Sequence, residues 1–319
     1  LEATPQPLAD GNPAAGKHFV ISLRTGRLAN RLVLFANFIG YAAEHGHRVS
    51  NVTFHSYAHL FETTRKDIYC RYPIPRLRSV LDRLPGVAAA LRKTRLLYNA
   101  ARYGGALNER LPLLGKKCVT IREIPYHTQL LDGSEMQAKF GAARTVFVYG
   151  WFFRAPGCVV RQAEKIRTHL RPVAELERAN RPALERLRQA ADVVVGVHIR
   201  HGDYRHWKQG EFFFPAHQYA AWMRALAGKF PGRRTAFFVC SDEPRHAGEF
   251  PGLTVEFGVG PAVADLYSLA KCDFLIGPLS TFSQWASFYG NVPLFHLRNR
   301  DAQIALDQFA VSDLYEIPV

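Results

Sequence analysis

The stretch Val193-Val194-Val195-Gly196-Val197-His198-Ile199-Arg200-His201-Gly202-Asp203-Tyr204 decides how the rest of the chain is read. Its first half is a β-branched apolar run, the composition of a strand buried on both faces. It breaks off in polar residues and a glycine, which marks the strand leaving the core at a turn. Residues two apart on a strand share a face, so His198 and Arg200 point the same way at that exit. In open α/β sheets, ligands bind beyond the carboxyl ends of the strands. An arginine there is permanently charged and offers a planar fork of donors suited to phosphate. Asp203, just past the turn, can pin that arginine, orient a histidine or cap the next helix.

The sequence around this stretch repeats the pattern. A strand over 235–240 stops at Ser241-Asp242, where Asp242 can accept from a base or ribose or cap a helix. A strand over 272–277 runs into Ser280-Thr281-Phe282-Ser283 at the start of a helix, and hydroxyls beside free N–H groups make a phosphate seat. Strand and helix alternate regularly through this half, which predicts a parallel sheet. The first half opens in the same way. A strand over 17–23 meets the turn Arg24-Thr25-Gly26-Arg27, and a helix follows over 28–43. Gly26 lets the backbone come close to a ligand, and Asn30 can offer an amide at the positive end of the helix. The expected fold is α/β, with two Rossmann-like domains facing across a cleft that would bury a nucleotide.

The intervening sequence is less specific. A strand is expected over 46–54. Residues 64–117 are basic, with helical periodicity from Val80 to Leu97; this reads as a solvated helix face or as a segment making peripheral contact with an anionic membrane surface. After a strand over 118–121, Glu123, His127 and Asp132 sit in a loop suited to an acceptor-binding rim. The strand 145–153 ends in aromatics, so Trp151 is either a sugar-stacking platform or core. A helix over 160–170 is stopped by Pro172. One helix is expected over 173–191, another from 215 to about 230, a third over 264–270, short strands over 253–257 and 292–295, and a tail from Asp301 that packs back. The divisions are 1–16, a flexible leader; 17–172, a domain carrying the acceptor-binding rim; and 173–319, a domain whose strand exits suit a nucleotide.

The formal net charge is +14 on 319 residues, which favours anionic partners. Nucleic acid is not the expected partner, because no zinc pattern, RNP-like motif or DNA-reading module is present. A phosphate-binding P-loop signature is absent, and so are Asp-x-Asp and any His/Cys/carboxylate cluster with metal-ligand spacing. The five scattered cysteines read as reduced thiols, which together with the lack of a membrane span points to the cytoplasm.

Five motifs in order carry a resemblance: Gly26-Arg27-Leu28-Ala29-Asn30, Tyr149-Gly150-Trp151-Phe152, His198-Ile199-Arg200-His201-Gly202-Asp203-Tyr204, Ser241-Asp242 and Ser280-Thr281-Phe282-Ser283-Gln284-Trp285. The chain resembles family 11 glycosyltransferases, the α-1,2-fucosyltransferases. The resemblance implies a GT-B-like fold, GDP-fucose as donor, a glycan acceptor such as the galactose 2-hydroxyl, inversion at the anomeric carbon, and neither cofactor nor metal. It also implies that Arg200 binds the donor pyrophosphate and His198 shapes that site. Asp242 and residues 280–283 would be guanosine- and phosphate-side contacts, and Arg27 and Asn30 the contribution of the N-terminal domain. Asp203 is then either the base that takes the acceptor proton or the residue that orients Arg200. The chain departs from that family at His201, where a second arginine is usual, and at Ala29, Arg31, Leu279 and Gln284. Other readings are a catalytically silent nucleotide- or glycan-binding protein on the same fold, a transferase using another nucleotide sugar, and a basic nucleic-acid-binding protein.

Overall fold

A computed structural model describes residues 16–75, 79, 81, 86, 90, 91, 94–110 and 117–316. Its strands, in chain order, are β1 (His18–Ile21), β2 (Arg48–Ser50), β3 (Arg71–Tyr72), β4 (Cys118–Arg122), β5 (Gln129–Leu130), β6 (Thr145–Tyr149), β7 (Phe153–Arg154), β8 (Val193–Ile199), β9 (Thr235–Ser241), β10 (Thr254–Phe257), β11 (Phe274–Pro278) and β12 (Leu294–Leu297). The valine run forms β8 as expected, and all seven of its residues are buried. It lies at the centre of a five-stranded sheet in the order β10-β9-β8-β11-β12, all parallel. A second five-stranded sheet, in the order β3-β2-β1-β6-β4, is parallel except for its antiparallel edge strand β3. β8 is buried along its whole length, which is why it reads as a continuous apolar run, whereas β1 alternates half-buried and buried residues. The architecture is a pair of Rossmann-like units, the GT-B-like arrangement expected.

Two helices set the geometry between the sheets. Helix Leu28–His45 follows β1, and helix Thr281–Gly290 follows β11. They pack on one another, and one apolar cluster runs through both units, from Phe19, Phe35 and Phe61 to Tyr267 and Trp285. A second cluster fills the far side of the β8 sheet, around Val195, Tyr219, Trp222 and Phe237. Pro172, the expected boundary, bridges to Phe61, and Val173 N–H donates to the Leu60 carbonyl, so the joining segment is sewn to the first unit.

Several expected elements are divided. Residues 173–191 form two helices, Ala174–Ala179 and Arg181–Ala190. Pro182 supplies no N–H for a continuous ladder, and buried Asn180 spends its side chain on Val259 N–H and Asp265. Val52–Phe54 is a 3-10 turn, not part of a strand. The strand 145–153 breaks at Gly150, whose φ of +144° leaves the extended region. The helix expected over 160–170 is two short helices, Pro156–Arg161 and Ala163–His169. The tail returns as expected: Leu294 and Ala310 are bridged, and Leu314 is fully buried. Residues 1–15 of the expected leader 1–16, and much of the periodic stretch 80–97, lie outside the described residues.

Candidate donor site at the facing sheet edges

Arg200 follows directly on β8 at the carboxyl edge of its sheet. Its side chain is 19% exposed and is held by two carboxylates. Asp203 Oδ1 accepts from Nε at 2.9 Å and Nη2 at 2.7 Å, and Asp242 Oδ2 lies 3.3 Å from Nη1. The other Asp242 oxygen accepts the His201 N–H at 2.8 Å. Gly202 permits this approach, since a Cβ there would lie 2.6 Å from Asp242 Oδ2. Asp242 is thus engaged in fixing the turn and the guanidinium, and capping of a following helix is not its role. The Asp203 side chain is about half exposed, and Asp242 is mostly covered.

His198 is buried beneath this edge. Its Nδ1 is hydrogen-bonded to Ser283 Oγ at 2.8 Å, and its ring stacks on Phe282 with centroids 4.7 Å apart. Burial, with the nearby Arg200 charge, pushes its pKa down to about 3, so the ring is neutral at ordinary pH. Gly277 makes the contact possible: a Cβ there would come 2.9 Å from Ser283 Oγ and 3.0 Å from His198 Cβ. Ser280 caps helix Thr281–Gly290, its Oγ accepting from Phe282 N–H at 3.2 Å. Tyr204, whose phenol burial pushes up to about 12, donates to the Leu279 carbonyl at 2.8 Å.

Among the described residues, the first unit meets this edge through one hydrogen bond. Thr281 Oγ1 donates to Asn30 Oδ1 at 2.6 Å, so the N-termini of the two packed helices converge. Each end carries a positive partial charge from unpaired N–H groups. Gly26, at φ +51°, folds under Asn30, and a Cβ there would lie 2.3 Å from Asn30 Nδ2. Arg27 at the helix start is exposed and has no side-chain partner among the described residues. The convergence brings two helix N-termini together, with Arg27 exposed at the start of one and Arg200 at the end of the strand beside the other, an arrangement suited to a diphosphate.

Arg31 and Arg245 are engaged here too; the sequence marks Arg31 only as a departure from the family pattern and does not mark Arg245. Arg31 is buried and donates to the carbonyls of Thr25, Gly26 and Thr53 and to Ser56 Oγ, locking the turn; burial lowers its pKa. Arg245 donates to His201 Nδ1 at 2.6 Å, to Glu243 at 2.9 Å and to Glu249 at 3.0 Å. His201 Nε2 in turn donates to the Phe214 carbonyl at 2.7 Å, so both ring nitrogens are committed. A guanidinium thus stands beside the position where the resemblance leads one to expect an arginine. Ser241 Oγ accepts from Arg245 Nε and from Glu243 N–H, which makes it a brace for this cluster. In the sequence Arg245 was one basic residue among many; only the turn after β9 distinguishes it.

The acceptor-side residues divide. Trp151 is only 8% exposed, part of the core, with Nε1 donating to the Asn30 carbonyl at 3.0 Å. Of its two readings, sugar platform or core, the structure gives the core, and the platform is corrected: the Gly150 turn folds the indole inward. Glu123 Oε2 accepts the N–H groups of Trp151 and Phe152 and holds the turn. His127 is exposed on the rim. Beside it Tyr126 is 78% exposed, its ring centroid 6.0 Å from that of the half-buried Phe152. Both rings are accessible at this edge. A cavity of about 470 Å³ lies along β12 under the tail and includes none of the donor residues named from the sequence. Among the described residues there is no group of three His, Cys, Asp or Glu side chains that could hold a metal, and no helix is long and apolar enough to cross a membrane. Cys118, Cys158, Cys240 and Cys272 are free thiols.

No family model matches the chain. Among curated proteins, the nodulation protein Z of Azorhizobium caulinodans is 35% identical over a stretch that is 30% of this chain. That match spans 38% of the length of nodulation protein Z. Among solved structures, the Bradyrhizobium fucosyltransferase NodZ superposes with a TM-score of 0.51 at 18% identity, covering 90% of this chain and 97% of that one. The NodZ α-1,6-fucosyltransferase co-crystallized with GDP gives a TM-score of 0.51 at 17% identity, covering 88% and 94%. A variant of Arabidopsis thaliana FUT1 in complex with GDP gives 0.50 at 13% identity, covering 92% and 74%. The chain has the fold of these fucosyltransferases.

Proposed function

We propose that the chain transfers fucose from GDP-fucose to a hydroxyl of a glycan, inverting the anomeric carbon and using no metal. The observation that carries this reading is the convergence of Arg200 with two helix N-termini at facing sheet edges, tied by the Thr281–Asn30 hydrogen bond. The acceptor oxygen bonds to the fucose anomeric carbon from the face opposite GDP. The bond from that carbon to the β-phosphate oxygen breaks, and its electron pair leaves with GDP. Arg200, Arg27 and the helix N-termini offset the charge that grows on the leaving diphosphate. Asn30 and residues 280–283 seat the phosphates, and His198 keeps Ser283 in place from below. Asp242 fixes Arg200 through the turn. Asp203 orients the guanidinium through one oxygen and leaves the other to take the acceptor proton.

The acceptor approaches over Tyr126, Phe152 and His127 at the edge of the first unit, residues 17–172. The galactose 2-hydroxyl is the acceptor implied by the motif resemblance. The 35% match to nodulation protein Z, and the α-1,6 activity named for NodZ, favour a primary 6-hydroxyl instead. Linkage analysis of the product distinguishes the two.

A thermal-shift screen of GDP-, UDP-, ADP- and CMP-linked sugars tests the donor, because a ligand bound only by the folded state stabilises it by mass action. GDP-fucose and GDP are expected to raise the melting temperature. A response confined to another nucleotide identifies a transferase with a different donor. Binding of GDP-fucose with no release of GDP, with or without acceptors, overturns the enzymatic reading in favour of a silent binder.

A further inference from the structure

Helix Leu96–Arg110 has two apolar faces, and the fold uses one of them. Tyr98, Gly105 and Asn108 are buried against the first sheet. Gly105 is needed there, since a Cβ would lie 2.5 Å from the Tyr149 hydroxyl. Thr120 Oγ1 donates to the Gly105 carbonyl at 3.0 Å and completes the seat. On the opposite side Leu96, Tyr103 and Leu107 are 56%, 65% and 49% exposed. At 3.6 residues per turn their spacings of seven and four place them within an arc of about 40°.

The charge around this stripe has one sign. Residues 64–117 contain thirteen Lys and Arg against three Asp and Glu, most of the chain's excess. The acidic residue within the helix, Glu109, is taken by Arg122. Arg95, Arg102 and Arg110 have no acidic partner among the described residues, and the Arg102 guanidinium lies over the Tyr103 ring at 5.7 Å. Apolar residues flanked by unpaired arginines on an exposed helix face form an interfacial membrane contact.

We propose that this face docks on an anionic lipid bilayer, with Leu96, Tyr103 and Leu107 at the boundary of headgroups and acyl chains and Arg95, Arg102 and Arg110 among lipid phosphates. A second copy of the chain is a poor occupant, because it would bring the same positive charge against itself. A nucleic acid would use the arginines and leave the apolar stripe in water. The proposal is independent of the donor site and stands or falls without it.

Vesicle co-flotation tests it, using phosphatidylcholine alone and phosphatidylcholine with roughly one third phosphatidylglycerol at about 0.1 M salt. The full chain should float with the anionic vesicles and stay behind with the neutral ones. The variant Leu96→Ser/Tyr103→Ser/Leu107→Ser should bind at least about tenfold more weakly. Its melting temperature should be unchanged, because the three side chains are outside the core. Arg95→Gln/Arg102→Gln/Arg110→Gln, a variant that keeps the stripe, should lose the preference for anionic lipid. Failure of the full chain to float with anionic vesicles overturns the proposal, as does wild-type binding by either variant. Concentration-dependent dimerisation abolished by the serine variant also overturns it, since the stripe would then belong to a second copy.

Discussion

Arg200 faces Asp203 through Nε and Nη2 and Asp242 through Nη1 before any phosphate arrives. A guanidinium has five N–H groups, so a diphosphate can bond to those left over, but it shares the Arg200 charge with both carboxylates, of which Asp203 is the more exposed. Asp203→Asn is expected to tighten GDP binding severalfold by freeing the guanidinium, while slowing transfer if its free oxygen takes the proton. Titration calorimetry and a steady-state assay separate these effects. His198 answers a different question at this scale. Its pKa of about 3 in the fold lies below the 6.5 of an unperturbed histidine, so the unfolded chain binds the proton first. Its contribution to stability is complete above pH 6.5 and is lost as the pH falls toward 3, at no more than about 1.4 kcal/mol per pH unit. Chemical denaturation of His198→Asn across this window should show a flatter acid limb than wild type. An equally steep limb would mean that other groups dominate. The sequence showed that polar residues ended β8, because residue types are visible without geometry. It could not show their pairing: Asp242 reaches Arg200 only because Gly202 lacks a side chain, and Arg245 reaches His201 from a separate turn.

At the scale of elements, the two packed helices bring the sheets' edges together. Helix Thr281–Gly290 owes its start to Ser280, so Ser280→Ala should cost about 1 kcal/mol of stability, read from the denaturation midpoint. Gly26→Ala forces a side chain into φ +51° and against Asn30 Nδ2. It should cost ~1–2 kcal/mol and weaken GDP binding with it. A variant that loses stability and keeps its affinity would show that the turn does not serve the site. Apolar periodicity made β1, β8, β9, β11 and both helices legible, because each buries a continuous apolar face. It left Trp151 open for the same reason: an aromatic at a strand exit reads alike whether it turns outward or, as here, inward to the Asn30 carbonyl. The division at Asn180 was hidden because both halves keep one helical pattern. The side-chain ties to Val259 and Asp265 that interrupt them are long-range.

At the scale of the whole molecule, the described residues form two mainly parallel sheets that share one apolar cluster, with Arg200 at the carboxyl edge of one and the two helix N-termini meeting between them. A shared core of this kind opposes free swinging of the two units. Donor binding is accordingly expected to stabilise the molecule as one cooperative unit, with a single calorimetric transition that moves up with GDP concentration. Two transitions, only one of them shifted, would contradict this. The net charge of +14 adds a long-range attraction for any anion, so GDP affinity should weaken with salt without vanishing. The alternation of strands and helices carried this architecture in the sequence. The convergence of the two helix N-termini did not show there, since Asn30 and Thr281 lie 251 residues apart.

The most direct measurement is a calorimetric titration of GDP into the wild-type protein and into Arg200→Ala. Charge-assisted hydrogen bonds of ~1.5–3 kcal/mol each predict a loss of affinity of at least about tenfold in the variant, with its fold intact by circular dichroism. Equal affinity in the two proteins, or no GDP binding by either, would contradict the claim that Arg200 holds the donor diphosphate.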